Sequence, residues 1–213
     1  MKKHIFIIPL LVLLLGQMAY AQLTMKDLVK GEPDVVFLGL DFTQARFVGS
    51  YGFDNPYTIE NHYLEEWNKL MLREFQKYNM HEALRVNYYH YSANFDHHIE
   101  LNKRVNVKEV ITNQPYRMDL ELVKKTVETY QLENMKGIGV SFIVESFDKN
   151  LGLGSIWVTF IDLSTGDFIY SELIRGEANG VGFRNYWARS VYEVINKVKR
   201  DKYTKWKRKF RKG

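Results

Sequence analysis

The sequence predicts an α/β (α+β) domain: a single mixed sheet covered by helices, in the order β-α-β-α-β-β-β-α. Three observations point there. An apolar run over 35–41, ended by Asp41, reads as a strand buried on both faces. Two amphipathic stretches each follow a strand-like one, the alternation of an α/β chain. Three strand-like runs then come in series, joined by turn sequences, so a meander must join the sheet and make it mixed.

The first strand opens after Pro33 and ends near Asp41. Phe42 to Tyr57, rich in Gly, Asn, Pro and aromatic residues, reads as a long loop. Residues 60–78 read as a helix, with Tyr63, Trp67, Leu70, Met71 and Tyr78 on one face and Leu64, Leu72 and Phe75 widening it. Thr58 or Asn61 suits its N-cap. Residues 84–91 alternate Leu84, Val86, Tyr88 and His90 with Arg85, Asn87, Tyr89 and Tyr91, the period of a strand. Ser92 to Pro115 gives no clear period. Leu120 to Leu132 sets Leu122, Val123, Val127 and Tyr130 at helical spacing. The serial strands are Gly137–Phe147, Ser155–Leu163 and Asp167–Arg175. Asp148-Lys149-Asn150 and Ser164-Thr165-Gly166 turn between them, Gly166 supplying the positive φ that such a turn wants. A last helix runs from about Phe183 to Arg200 and turns Trp187, Val191, Val194, Ile195 and Val198 inward.

The N-terminus carries an address. Lys2, Lys3 and His4 precede the apolar run Ile5 to Leu15, and Ala19-Tyr20-Ala21 sets small residues at a cleavage site, the pattern of a secretory signal peptide. The run is shorter than the roughly 18–20 residues that span a bilayer. Cleavage is expected after Ala21, leaving Gln22 first and an exported protein, periplasmic or secreted. With no Cys in the chain, neither lipid attachment at a processed Cys nor a disulfide is open, so a hydrophobic core must hold the fold. Hydrophobic residues at 46% and aromatics at 15% describe a globular chain rather than a disordered one. The expected organisation is a signal peptide at 1–21, one α/β domain at 22–200 and a basic aromatic tail at 201–213.

Charge is unevenly spread. Ten of the 30 Lys and Arg residues fall between Lys197 and Gly213, where Asp201 is the one acid. The overall +5 therefore divides into a tail near +9 and an acidic body, an asymmetry that suggests a charged partner. Tyr203, Trp206 and Phe210 follow at i, i+3 and i+7, one face of a helix ringed by cations. Such a helix can lie on an anionic membrane surface, pack back on its own domain or leave its last dozen residues frayed. Export argues against nucleic acid as the partner.

The stretch Val158-Thr159-Phe160-Ile161-Asp162-Leu163-Ser164-Thr165-Gly166-Asp167-Phe168-Ile169-Tyr170-Ser171 resembles the strand, Ser-Thr-Gly-Asp/Glu turn and return strand of the CsgG-like families of bacterial envelope proteins. These include the curli secretion factor and the periplasmic activator of a penicillin-binding protein. By element order the resemblance extends over about 33–200. It implies a small, non-catalytic envelope domain that binds other proteins. Two departures matter. The curli factor is a lipoprotein, and this chain has no Cys. The curli factor also inserts strand pairs into the membrane, whereas the only room for such a pair, 84–118, is polar and charged. Pore formation is not implied.

Candidate chemistry is sparse. His97 and His98, with Asp96, His90 and Glu100, form the densest group of metal-capable residues, but adjacent residues of a strand point apart, and the pair reads as loop or surface histidines. Gly152-Leu153-Gly154 lacks the third Gly and the following helix of a dinucleotide loop. Glu65 and Glu66 lie about 100° apart on a helix and cannot serve one bond. Gly176, Gly180 and Gly182 around Asn179 lead into the last helix, where backbone N–H groups could hold an anion, although a plain connector explains them better. No catalytic, cofactor or metal residue is assigned. The expected contacts are with an envelope protein or anionic envelope surface, through Phe47, Tyr51, Phe53 and Tyr57 of the loop and Tyr203, Lys205, Trp206, Lys207, Arg208 and Phe210 of the tail. The expected function is a non-catalytic envelope interaction module; the alternative is an exported hydrolase whose site is assembled from distant residues.

Overall fold

The computed structural model describes residues 22–132 and 134–211. The expected signal peptide lies outside the described residues. In chain order the elements are α1 (Met25–Lys30), β1 (Val35–Asp41), β2 (Arg46–Val48), α2 (Pro56–Thr58), α3 (Leu64–Arg73), α4 (Met80–Leu84), β3 (Tyr91–Ala93), α5 (Asp96–Asn102), α6 (Val107–Val110), β4 (Ile111–Thr112), α7 (Leu120–Glu128), β5 (Ile138–Asp148), β6 (Leu153–Asp162), β7 (Phe168–Glu177), α8 (Phe183–Lys197) and α9 (Tyr203–Phe210). The fold is mixed α/β, a curled sheet flanked by helices.

β5 is the spine of the sheet. One edge pairs in parallel first with β1, from Ile138 to Ile143, and then with β2, from Ser146 to Asp148. The other edge pairs antiparallel with β6, which pairs antiparallel with β7. β3 lies outside β1 and β4 outside β2, both parallel. Ile138 to Phe147 are all buried because helices cover both faces, which is why this run is nearly continuous in apolar residues. Glu145 is an extra residue against β6, a bulge between Val144 and Ser146 that bends the strand.

The two faces differ. Towards α3, α8 and α9, the core is aromatic: the Phe147 and Trp187 rings stack at 4.7 Å, and Phe53 stacks on Trp187 at 5.3 Å. Towards α7 a smaller cluster holds Val36, Leu38, Val123, Val127, Ile143 and Ile161. Because side chains alternate along a strand, Ser141 and Ile143 share that second face, while Val140, Phe142 and Val144 face the first.

β3 is too short to cover the end of β1, so side chains take the place of a strand. Asn68 of α3 accepts from Leu40 N at 2.8 Å and donates to Leu40 O at 3.0 Å. Asn102 of α5 donates to the same carbonyl at 2.9 Å and accepts from Phe42 N at 2.7 Å. Buried backbone polar groups are thereby satisfied. The approach needs Gly39, whose φ is +84° and whose missing Cβ would collide with Asn68 Oδ1 and the Phe95 ring.

The main strands and the last helix lie where the sequence puts them, and Gly166 holds φ +78° at its turn. Three expectations need correction. The strand expected over 84–91 is instead the end of α4, a left-handed Arg85 (φ 52°) and a short 3-10 turn, with β3 beginning only at Tyr91. Asn79 and Asn87 cap these helical turns through their side chains, and such local bonds outweigh a period of two. The long loop over 42–57 contains β2, whose Phe47 is seated beside β5. The unreadable stretch from Ser92 to Pro115 holds α5, α6 and β4, all short enough that no period builds up.

Candidate functional site

α8, a π-helical turn over Val198–Lys202 and α9 form one continuous helical run, so the expected boundary at Arg200 falls inside a helix. The aromatic face of α9 turns inward. Tyr203 and Trp206 are buried, and the Trp206 ring meets Phe160 edge-on at 5.2 Å. Half-buried Phe210 meets Tyr170 at 5.1 Å. Trp206 Nε1 donates to Glu172 Oε2 at 2.6 Å, the Tyr170 hydroxyl donates to the same oxygen at 3.3 Å, and the Lys202 ammonium ion-pairs with Glu172 Oε1. Burial pushes the Glu172 carboxyl up, but the bonds from Lys202 and Trp206 outweigh it and hold it below the ordinary glutamate value. Burial, with the neighbouring Glu172 charge, raises Tyr170 to about 12.

Along this helical run the cations fall into two sets. Lys199 pairs with Glu82, Lys202 with Glu172 and Lys205 with Asp201. Lys207, Arg208, Lys209 and Arg211 meet no carboxylate among the described residues. Lys209 instead lies over the Tyr170 ring at 4.7 Å and that of Phe210 at 4.9 Å. A helix C-terminus favours cations, which offsets part of their mutual repulsion.

The ten expected contact residues therefore separate. Phe47, Phe53, Tyr203 and Trp206 belong to the core and present nothing to a partner in this fold. Phe47 and Phe53 point inward because β2 lies against β5 and Trp187 offers a stacking face. Tyr51 and Tyr57 are exposed, and the Tyr51 hydroxyl donates to Lys149 O at 3.3 Å. Lys205 is spent on Asp201, Phe210 is half-buried, and Lys207 and Arg208 remain for an outside anion. With the aromatic stripe facing the domain, α9 cannot sink that face into a lipid interface; only its charged outer face is offered. Among the described residues no helix is long and apolar enough to cross a membrane.

A second polar assembly lies on the α7 face of the sheet. His98 Nε2 and Ser141 Oγ are 2.7 Å apart. The Tyr130 hydroxyl donates to Asp41 Oδ2 at 2.5 Å and lies 3.2 Å from Ser141 Oγ. Thr43 N donates to Asp41 Oδ1 at 2.7 Å. Burial lowers His98 to about 4, the Asp41 charge opposing and His97 adding, and burial lowers His97 as well. Tyr130 is raised well above its ordinary value by burial and by Asp41. A hydroxyl against an imidazole is the start of a nucleophile–base pair. Among the described residues no third group orients the base: His98 Nδ1 has no partner there, nor has His97 Nε2. Asp41, His98 and Ser141 are wholly buried, and the main cavities of the described residues are lined by other side chains. Among the described residues, no three His, Asp or Glu side chains gather as a metal site requires.

His97 and His98 thus sit on α5, half-buried and buried, not on a loop or at the surface. The readable signal lay in β5, where Ser141 and Glu145 interrupt an apolar run; each proves to be a buried docking point for α5, α7 or the segment before it. Glu145 accepts from Met118 N at 2.9 Å and pairs with Arg117. The chain matches no family model, no curated protein and no solved structure. Its own residues have to carry the functional reading.

Proposed function

We propose that the chain is exported and works as a non-catalytic envelope module that docks electrostatically on an anionic surface through the end of α9. The observation that carries this is the contrast along one helical run: among the described residues, Lys199, Lys202 and Lys205 are matched to acids, and Lys207, Arg208, Lys209 and Arg211 are not. The Trp206–Glu172 bond holds those four cations on a fixed helix instead of a floppy end. Basic residues close to an anionic leaflet contribute about 1 kcal/mol each, so four supply about 4 kcal/mol, roughly a thousandfold in partition. What supports the envelope setting is the N-terminal signal pattern and the resemblance of the Ser164-Thr165-Gly166 turn and its flanking residues to CsgG-like proteins.

The test is co-sedimentation with phosphatidylglycerol vesicles and with phosphatidylcholine vesicles. Binding is expected to the anionic vesicles only and to weaken steeply with salt. It is expected to disappear in the double variant Lys207→Glu, Arg208→Glu, whose stability should change by no more than about 0.5 kcal/mol per site. Equal binding to both vesicle types, or none to either, overturns the reading.

The hydrolase alternative rests on one specific contact, His98 Nε2 to Ser141 Oγ at 2.7 Å. A fluorophosphonate probe separates the two readings. Labelling of Ser141 that disappears in Ser141→Ala favours the hydrolase, and an unlabelled protein favours the docking module.

A further inference from the structure

The first described residues, Gln22 and Leu23, are bound to the Ser-Thr-Gly turn. Leu23 N donates to Asp162 Oδ2 at 2.8 Å, and the Gln22 side-chain amide donates to Asp167 Oδ2 at 3.3 Å. The turn has its own bonds besides: Asp162 N donates to Asp167 O at 2.9 Å, and Ser164 N to Asp162 Oδ1 at 2.9 Å. Asp162 is only 2% exposed, yet among the described residues neither it nor Asp167 pairs with a Lys, Arg or His. A carboxylate so placed calls for a counter-charge. The bound segment leads straight into α1, which Thr24 and Asp27 cap, which buries Met25, Leu28 and Val29, and which lies against α9.

We infer that Asp162 and Asp167 form a receptor for the chain's own α-ammonium, created at Gln22 when the signal peptide is removed. The inference rests on the export reading above, with cleavage after Ala21, and adds what cleavage does to the fold. Before the cut the Gln22 nitrogen is a neutral peptide amide; after it, a cation. That nitrogen lies one residue from Leu23 N, no more than about 3.6 Å away. The new charge is therefore set down beside two carboxylates that already hold its neighbours. The other charges around the turn are Asp27, bound to Thr24; Lys26 and Lys209, which line one cavity with Gln22; and Lys124, paired with Glu121, over the Phe168 ring. These cations act against a positive charge at Gln22, so what favours it there is the pair Asp162 and Asp167. The ammonium fastens the segment at its first residue, and with it α1 and the contact between α1 and α9. It also keeps Gln22 from closing into a lactam. That reaction joins the α-nitrogen to the side-chain carbonyl carbon and expels the amide nitrogen as ammonia, so it needs an unprotonated amine and an unbound side chain. Here the amine is held charged and the amide is held by Asp167.

The deciding experiment takes the exported protein, reads its N-terminus by intact mass and sequencing, and titrates the isotopically dimethylated α-amine by carbon-13 NMR. A chain beginning at Gln22 with its amide intact is expected. Its amine should titrate about one unit above that of a Gln-Leu-Thr peptide treated in the same way. In Asp167→Asn, which keeps an oxygen for the Gln22 amide but removes a charge, the value should fall back towards the peptide's. Stability carries the same sign. The part owed to a raised amine is complete below the unfolded value and is lost as pH rises through the folded one. The melting temperature of the unaltered protein should therefore drop more across that interval than that of Asp167→Asn. An amine that titrates with the peptide, or a Gln22 lighter by one ammonia, overturns the inference alone. So does a cut at another bond, which leaves export standing. A chain secreted by no route, its signal peptide retained, overturns the export reading instead. The titration of the unaltered protein decides the matter even where Asp167→Asn fails to fold.

Discussion

Asp41 and Glu172 are both carboxylates that receive a hydrogen bond from an aromatic side chain, Tyr130 in one case and Trp206 in the other. Their settings differ. Asp41 is wholly buried and works with Thr43, Tyr130, Ser141 and His98 to fasten α5 and the end of α7 to the sheet. Glu172 is half-buried, takes Lys202 as counter-ion, and fastens a helix whose other side carries cations that meet no carboxylate among the described residues. The comparison teaches what a polar cluster is for. When every member faces inward, the cluster serves the fold; when it anchors an element with charge on its far side, it positions that charge for something outside.

The largest effect should come from Trp206→Ala. The ring is 1% exposed and lies between Phe160, Tyr170 and Glu172. Truncating a buried Trp costs about 3–5 kcal/mol, and for a domain of this size the melting temperature should fall on the order of 10 °C in calorimetry. A shift of less than about 2 °C would mean that α9 rests on the domain without being held, and the contrast with Asp41 would lose its basis.

The buried cluster should reveal itself through pH. Folded His98 titrates near 4, against an ordinary 6.5, because burial disfavours its charged form. Between those values the unfolded chain binds a proton that the folded chain refuses, so this stability is complete above pH 6.5 and is lost as pH falls towards 4. The loss at this site amounts to roughly 3 kcal/mol, and His97, also lowered, acts in the same direction. Asp41, Tyr130, Ser141 and Arg104 are the groups that bear on this pair. Carboxyls held low, such as Glu66 and Glu172, give way only at lower pH, so the informative window is the upper one. Urea denaturation of His98→Gln should give a flatter pH dependence there than the unaltered protein; an identical slope would take His98 out of the cluster's energetics.

Much of the fold was legible because its central strands are long. Val35–Asp41 and Ile138–Asp148 are buried along nearly their whole length, and hydrophobic runs report that directly. Short elements were not legible. β2, β3 and β4 span two or three residues and owe their existence to the edges of β5, β1 and β2 respectively, which no local window contains. The basic tail was readable as a helix with one aromatic face, but not the direction of that face, because burial of Trp206 depends on Phe160 and Glu172, far back in the chain. For the same reason the Asp41 cluster went unseen: its members come from β1, α5, β5 and the end of α7, and only folding makes them neighbours.

The smallest effect is the most discriminating. Glu172→Gln keeps an oxygen that can accept from Trp206 but removes the charge paired with Lys202. Because the pair is part-exposed, its loss should cost no more than about 1 kcal/mol. One negative charge fewer beside the cationic end of α9 should then strengthen binding to anionic vesicles, while Trp206→Ala, which unseats the helix, should weaken it. Stability and binding therefore move in opposite directions in Glu172→Gln and in the same direction in Trp206→Ala. If instead the Gln variant melts as early as the Trp variant, the ion pair and not the indole seats α9. Glu172 would then be a structural carboxylate of the same kind as Asp41, and the distinction between the two clusters would disappear.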